Sequence, residues 1–303
     1  MNFNFNNKNK LEKNHVAIIL GYFNGQAFLG DQIKSIFNQS HGALNVFLCD
    51  DNSERPFDEN EFEFEEDELK KLSFARRSNR HGYAKNFLNA LSAITEDFEY
   101  FAFSDQDDIW HRDKVERALK ALDAVPSDTP ALYCARTEIT DEKCERTLGF
   151  SPKFTKPPSF ANAVIQNIGG GNTMIFNRAA KDLIINAWLG SEVVSHDWWC
   201  YQIISGAGGH VFYDPKPCLK YRQHAGNLVG ANTSWRASFA RIRGLIRGRF
   251  REWNDINLAA LSANKHLLTK FNQRVLDDVI HARQSSLIKR LFLFKRSGIY
   301  RQT

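Results

Sequence analysis

The sequence predicts an α/β fold: a mostly parallel sheet flanked by helices, with an α-helical C-terminal extension. Three observations lead there. Up to Val125, short apolar runs alternate with segments of helical period, the order expected when parallel strands are covered on both faces. Carboxylates cluster just after several of those runs, where open α/β sheets place their ligands. From Ser234 onward strand signals cease, and apolar residues recur at helical spacing among arginines.

Taken in order, residues 1–14 are rich in Asn and Lys and read as a disordered leader without a signal-peptide core. Val16–Gly21 is a buried strand. Ala27–Gln39 carries Phe28, Leu29, Ile33, Ile36 and Phe37 at helical spacing. Leu44–Cys49 is a strand, and the acidic stretch Glu54–Glu68 is a surface loop. Leu72–Ala75 is a brief strand, Tyr83–Ile94 a helix, Tyr100–Phe103 a strand, and Asp113–Val125 a helix stopped by Pro126. Beyond Pro130 the pattern is less regular. Ala131–Thr137 and Cys144–Leu148 read as strands, Phe160–Gln166 as a helix, Thr173–Phe176 as a strand and Ala179–Leu189 as a helix. A further helix begins near His196, and Val211–Tyr213 and Leu219–Arg222 are short strands. The chain divides into the leader, an α/β domain over 15–230 and a basic helical region over 231–303.

Composition narrows the class. With 303 residues, 43% apolar and 25% charged, the chain is neither disordered nor fibrous. The longest aliphatic run, Val16–Leu20, is far too short to cross a bilayer, which places the protein on the cytoplasmic side. Five cysteines with no Cys-x-x-Cys pair argue for free thiols over disulfides or a zinc ribbon. The net charge of +5 hides an asymmetry: Lys220–Thr303 holds 17 Lys or Arg against 4 Asp or Glu. An acidic body joined to a basic tail suggests two surfaces with different partners.

Three carboxylate clusters follow apolar segments: Asp50-Asp51, Asp105-x-Asp107-Asp108, and Asp197 within Ser195-His196-Asp197-Trp198-Trp199. Adjacent carboxylates repel unless a positive group stands near them. At the end of a parallel strand a divalent cation is the usual answer, and hard oxygen ligands suit magnesium or manganese. An Asp-x-Asp turn can hold one metal that also grips a diphosphate. Gly169-Gly170-Gly171-Asn172 lacks the spacing of a dinucleotide fingerprint or a Walker loop. Its glycines fit either a close backbone approach to a bound sugar or an ordinary turn into a strand.

With these residues in view, the sequence resembles family 2 glycosyltransferases of the nucleotide-sugar-binding GT-A fold. Within them it is most similar to the bacterial rhamnosyltransferase-like branch that builds surface polysaccharides. Five segments carry the likeness in order: Val16–Gly25 with its Phe23-Asn24-Gly25 turn and the helix Gln32–Gln39; Cys49-Asp50-Asp51-Asn52-Ser53; Phe103–Trp110; His196-Asp197-Trp198-Trp199; and Tyr221–Asn227. The likeness covers about residues 15 to 230. Two departures stand out: Gly21 replaces a small polar residue, and Asn52 replaces a glycine whose positive φ Asn tolerates.

The resemblance implies roles. Asp51 bonds the pyrimidine base with Asp50 beside it; Gly21, Phe23, Asn24, Arg80, Lys85, Asp105 and Gln106 complete the donor site. Asp107 and His224 hold a Mn²⁺ or Mg²⁺ ion. Asp197 is the general base of an inverting transfer. His196, Trp198, Trp199, Gly170 and Gly171 meet the sugar and acceptor. The expected activity is transfer of L-rhamnose from dTDP-L-rhamnose to a hydroxyl of an O-antigen or capsule glycan, lipid-linked or free. A UDP-hexose donor and a non-catalytic glycan- or membrane-binding module are the alternatives. The Arg-rich, apolar-faced segments Trp235–Trp253 and Leu287–Arg296 suit either peripheral contact with the inner membrane or packing on the catalytic domain. The tail has no nucleic-acid motif, and pairing of two chains through it is left open.

Overall fold

The computed structural model describes residues 14–224 and 250–302. The expected leader, apart from Asn14, and the Arg-rich stretch 235–249 lie outside the described residues. So do Ala225, Gly226 and Asn227 of the motif that begins at Tyr221.

The first half follows the predicted alternation. β1 (Val16–Tyr22), α1 (Gln26–Phe37), β2 (Leu44–Asp50), α2 (Glu66–Lys71), β3 (Leu72–Arg76), α3 (Tyr83–Ala93), β4 (Tyr100–Ser104), β5 (Ile109–Trp110) and α4 (Lys114–Leu122) succeed one another. The acidic stretch is not all loop: Glu66, Asp67 and Glu68 open α2, where carboxylates favour a helix N-terminus. In β1 and β2 side chains alternate between two faces of one sheet. Ala17, Ile19, Phe47, Phe101 and Phe103 meet Phe87, Leu88 and Leu91 of α3. Val16, Ile18, Leu20, Val46 and Leu48 meet Leu29, Ile33 and Ile36 of α1 and Val115, Leu119 and Leu122 of α4. The result is a helix–sheet–helix sandwich whose inner strands are apolar on both sides.

The second half departs from expectation. It comprises β6 (Ala131–Thr140), β7 (Thr147–Phe150), α5 (Phe160–Ala163), β8 (Ile175–Asn177), α6 (Arg178–Trp188), α7 (His196–Gly206) and β9 (His210–Arg222). The strand order is β3-β2-β1-β4-β8-β6-β9-β5, with β7 beside β6. β1 pairs in parallel with β2 and β4, β2 with β3, and β6 with β9. The pairs β4–β8, β5–β9, β6–β7 and β6–β8 are antiparallel. The sheet is therefore mixed rather than mostly parallel. From β5 on strand–helix alternation is irregular, and of the pairs made there β6–β9 stays parallel, across a connection long enough for a crossover. The two short strands expected near 211 and 219 are one strand, β9. Its register against β6 jumps between Asp214 and Pro217, where Pro215 and Pro217 have no N–H for a ladder.

The C-terminal extension contains a helix over 250–263, here α8, then α9 (Lys270–Arg283) and α10 (Leu287–Arg296). It does not stand apart. Leu258, Leu261, Val275, Leu276 and Val279 enter the same core as the α3 face of the sheet. The last residues fold back as well: the Lys156 backbone N–H donates to Gln302 Oε1 at 3.0 Å, and Asn162 Nδ2 donates to the Tyr300 carbonyl at 3.0 Å. No described helix is long and apolar enough to cross a membrane. All five cysteines are free and buried, as their spacing suggested.

Candidate active site

After β1 the chain passes to β2 and β3 on one side, then returns to β4 on the other. That reversal leaves a crevice beyond the carboxyl ends of β1 and β4, where such sheets bind ligands. One side-chain amide spans it. The Phe23 N–H donates to Gln106 Oε1 at 2.7 Å, and Gln106 Nε2 donates to the Phe23 carbonyl at 3.1 Å. Gln106 was expected to touch the donor, but its amide is committed to joining the two turns.

The turn after β2 is held by its own carboxylate. Asp50 is fully buried; its Oδ1 accepts from the Ser53 N–H and hydroxyl, and Arg76 Nε stands 3.2 Å from Oδ2. Asp50 therefore organises the turn rather than facing a ligand. Asn52 takes φ 65° within it, and Asn24 takes φ 49° in the turn after β1, conformations Asn accepts at low cost. The two turns meet where Asn24 N–H donates to Ser53 Oγ at 3.0 Å. Asp51 reaches across to the N-terminus of α3: its oxygens accept from the His81 and Gly82 N–H groups at 2.9 and 2.8 Å. Each oxygen keeps a lone pair for another donor. Arg80 is exposed, with its guanidinium 4.0 Å from the centre of the Phe23 ring. Lys85 is also exposed and pairs with Glu192 at 3.3 Å.

The Asp-x-Asp turn lies between β4 and β5. Asp107 Oδ2 is 2.8 Å from His224 Nε2, across 117 residues of sequence. Burial, then Asp107, then Asp197 push the Asp105 carboxyl up to about 7, against the pull of Lys114. Carboxylates from the Asp-x-Asp turn and from the first turn of α7 thus share one field. Asp197 itself is partly exposed, and its Oδ1 accepts from the Trp198 N–H at 2.7 Å. At the start of α3, partial desolvation of the half-exposed Tyr83, then Asp197 and Asp105, raise its phenol to about 12.

Several supports escaped the sequence reading. Asp108 is fully buried and accepts from Asn172 Nδ2 at 2.6 Å. Lys114, also fully buried, donates to the Asn172 carbonyl at 2.5 Å and lies 3.2 Å over the Trp110 ring. Burial lowers its ammonium to about 7, with Cys218, Asp108 and Asp105 opposing. The signal for it was present: Lys114, Ala118 and Leu122 share one stripe of α4, so a lysine stands on the apolar face. Arg222 is buried at the end of β9; its Nε donates to the Asp107 carbonyl at 2.9 Å, and NH2 lies 3.1 Å from Asp31 Oδ2.

The residues expected to touch sugar and acceptor are mostly internal. Trp198 donates its indole N–H to the Ala163 carbonyl at 2.7 Å, and Trp199 is fully buried, 3.5 Å from the Ile184 carbonyl. Neither ring offers a free face for a sugar, because α7 is enclosed by α5, α6 and the extension. His196 is buried too, stacked on Phe87 at 4.2 Å and edge-on to Phe103 at 4.8 Å. Gly171 makes room for it: a Cβ there would lie 2.2 Å from His196 Nε2. Gly171 thus serves this packing rather than a sugar, while Gly170 remains exposed. Gly21 has a similar cause. A Cβ would meet Phe87 Cζ at 2.7 Å, so the departure from a small polar residue is matched by the ring of Phe87.

A divalent cation suits part of this arrangement. Asp105 feels the charges of Asp107 and Asp197 with buried Lys114 opposing, and Asp107 and His224 present an oxygen and a nitrogen side by side. That mixed pair suits manganese better than the harder magnesium ion. Among the described residues no group of three or more His, Cys, Asp or Glu side chains stands ready to enclose an ion.

Comparison with known proteins decides the family. Glycosyl transferase family 2 matches residues 17–184, from β1 into α6. The chain belongs to that family. It is 29% identical over 235 residues to a dTDP-rhamnosyl transferase, RfbG, of Shigella flexneri, covering 75% of this chain and 79% of that one. In structure the glycosyltransferase is similar to S. aureus TarS. For TarS 1–349 with UDP-GlcNAc bound, the TM-score is 0.55 at 13% identity, covering 86% of this chain and 70% of that one. A second TarS structure gives 0.52 at 12%, covering 93% and 90%. At such identities the likeness shows the fold: GT-A-like, with a mixed sheet. Membership sets aside the reading of a non-catalytic module.

Proposed function

We propose that this glycosyltransferase inverts the anomeric centre of a pyrimidine nucleoside diphosphate sugar and passes the sugar to a hydroxyl of a bacterial surface glycan. One observation carries the reading: Asp107 and His224, expected to share a cation, stand 2.8 Å apart. The crevice between β1 and β4 receives the nucleotide. Asp51 accepts the imide N–H of the base through its remaining lone pairs, a contact that thymine and uracil satisfy alike. Asp197 takes the proton of the acceptor hydroxyl. The acceptor oxygen then attacks the anomeric carbon from the face opposite the diphosphate, and the bond to the β-phosphate oxygen breaks with its electron pair. When bound at Asp107 and His224, a divalent cation supplies positive charge to the departing diphosphate. Arg222 holds the Asp-x-Asp turn through the Asp107 carbonyl, and Lys114 holds Asn172, whose amide donates to Asp108.

For the sugar, dTDP-L-rhamnose is supported by the name of the Shigella relative. A UDP-hexose is the alternative, because Asp51 reads a feature common to both bases. Turnover of each donor by the Asp197→Asn variant tests the base. The expected result is a rate lower by about 10²–10⁴-fold with nucleotide affinity unchanged, since the amide cannot take the proton. Retention of most turnover would remove Asp197 from that role.

A further inference from the structure

We propose that the outer face of α10 docks this protein on an anionic lipid bilayer. This goes beyond the transfer reaction and rests on the extension alone.

Leu287, Ile288, Leu291 and Phe292 are 67%, 83%, 60% and 62% exposed. At spacings of one, four and five they occupy one side of α10. The opposite side is fixed. Leu293 is buried, Phe294 packs on the core, and Arg296 and Ser297 bind Asp278 of α9. The exposed stripe is therefore a rigid surface feature, held on a helix pair that shares the core of the catalytic domain. Soluble monomers rarely leave four large apolar side chains contiguous in water.

The charge around the stripe identifies its partner. α10 reads Leu-Ile-Lys-Arg-Leu-Phe-Leu-Phe-Lys-Arg: four cations and no carboxylate. Lys289 and Lys295 are both exposed. An apolar stripe bordered by cations matches an acyl boundary under anionic headgroups. A second copy is a poor match, because pairing two such faces brings cations against cations. The segment 225–249 is equally poor, since it contains five Arg and no Asp or Glu. The leader, with Lys8, Lys10 and Lys13 against Glu12, is also net positive.

Co-sedimentation of the full chain with phosphatidylcholine vesicles, with and without 30% phosphatidylglycerol, tests this (the fraction is an experimental choice of about one anionic lipid in three). The expected result is binding to the anionic vesicles, weakened by salt. It should fall at least about tenfold in an Ile288→Asp, Phe292→Asp double variant and severalfold in a Lys289→Glu, Lys295→Glu variant. All four side chains are exposed, so unchanged thermal melting and nucleotide binding serve as the folding control. Equal binding to neutral vesicles, or undiminished binding by the apolar double variant, would overturn the proposal. So would a wild-type dimer that the double variant converts to monomer without any vesicle binding.

Discussion

His196 is a buried imidazole whose two ring nitrogens have no hydrogen-bond partner among the described residues. Desolvation lowers its pKa from 6.5 to about 4, with Asp197 opposing. The fold thus favours the neutral ring, while the unfolded chain binds a proton below its ordinary value. The contribution is fully present above about 6.5, is lost as pH falls toward about 4, and is flat below. Urea unfolding of wild type and His196→Leu across that window should show a difference in slope approaching one proton. Equal slopes would mean that the imidazole is not held neutral. The sequence could not reveal this burial, because the Asp197 motif presents His196, Trp198 and Trp199 as neighbours of a catalytic group. Which of them face inward depends on α5, α6 and α8 closing around α7. The departure at Gly21 was visible, yet its cause lay 66 residues away in Phe87.

At the scale of elements, the site depends on how turns are joined. Gln106 joins the turns after β1 and β4, Asp51 joins β2 to α3, and Arg222 joins β9 to the Asp-x-Asp turn. The C-terminal helices have a comparable joint. Burial would raise Asp278, but its bonds to Arg296 and Ser297 outweigh that and hold it below the usual carboxylate range. A depressed carboxylate stabilises above its unfolded pKa and loses that contribution as pH falls through the folded one. The melting-temperature gap between wild type and Asp278→Asn should therefore be widest above the ordinary carboxylate range and narrow as pH falls below it. A gap constant over that range would show that the pair does not link α9 to α10. These helices were legible from their period, and β1 to α4 from strand–helix alternation. The antiparallel β8 was not, because three buried residues after a glycine turn carry no record of strand direction.

Across the whole molecule, two surfaces divide the work. The crevice at β1 and β4 gathers carboxylates from the Asp-x-Asp turn and α7. The extension shares the core of the sheet, leaves the apolar stripe of α10 outside, and carries the basic charge of the chain. Asp51, Asp105 and Asp107 could be found in the sequence because they follow strands, and Asp197, in the first turn of α7, through its His-Asp-Trp-Trp motif. Lys114, which bonds Asn172, and Arg222, which bonds the Asp107 carbonyl, are single residues outside any cluster, and only the packed fold shows what they touch. The claim on which the rest depends is a metal-assisted pyrimidine diphosphate site at Asp51, Asp105, Asp107 and His224. Isothermal calorimetry with dTDP and UDP, each in Mn²⁺ and in EDTA, tests it most directly. The account predicts binding of at least one nucleotide in Mn²⁺, loss in EDTA, and the same loss in Asp107→Ala. Failure of both nucleotides to bind in Mn²⁺, or binding indifferent to EDTA and to Asp107→Ala, would contradict it.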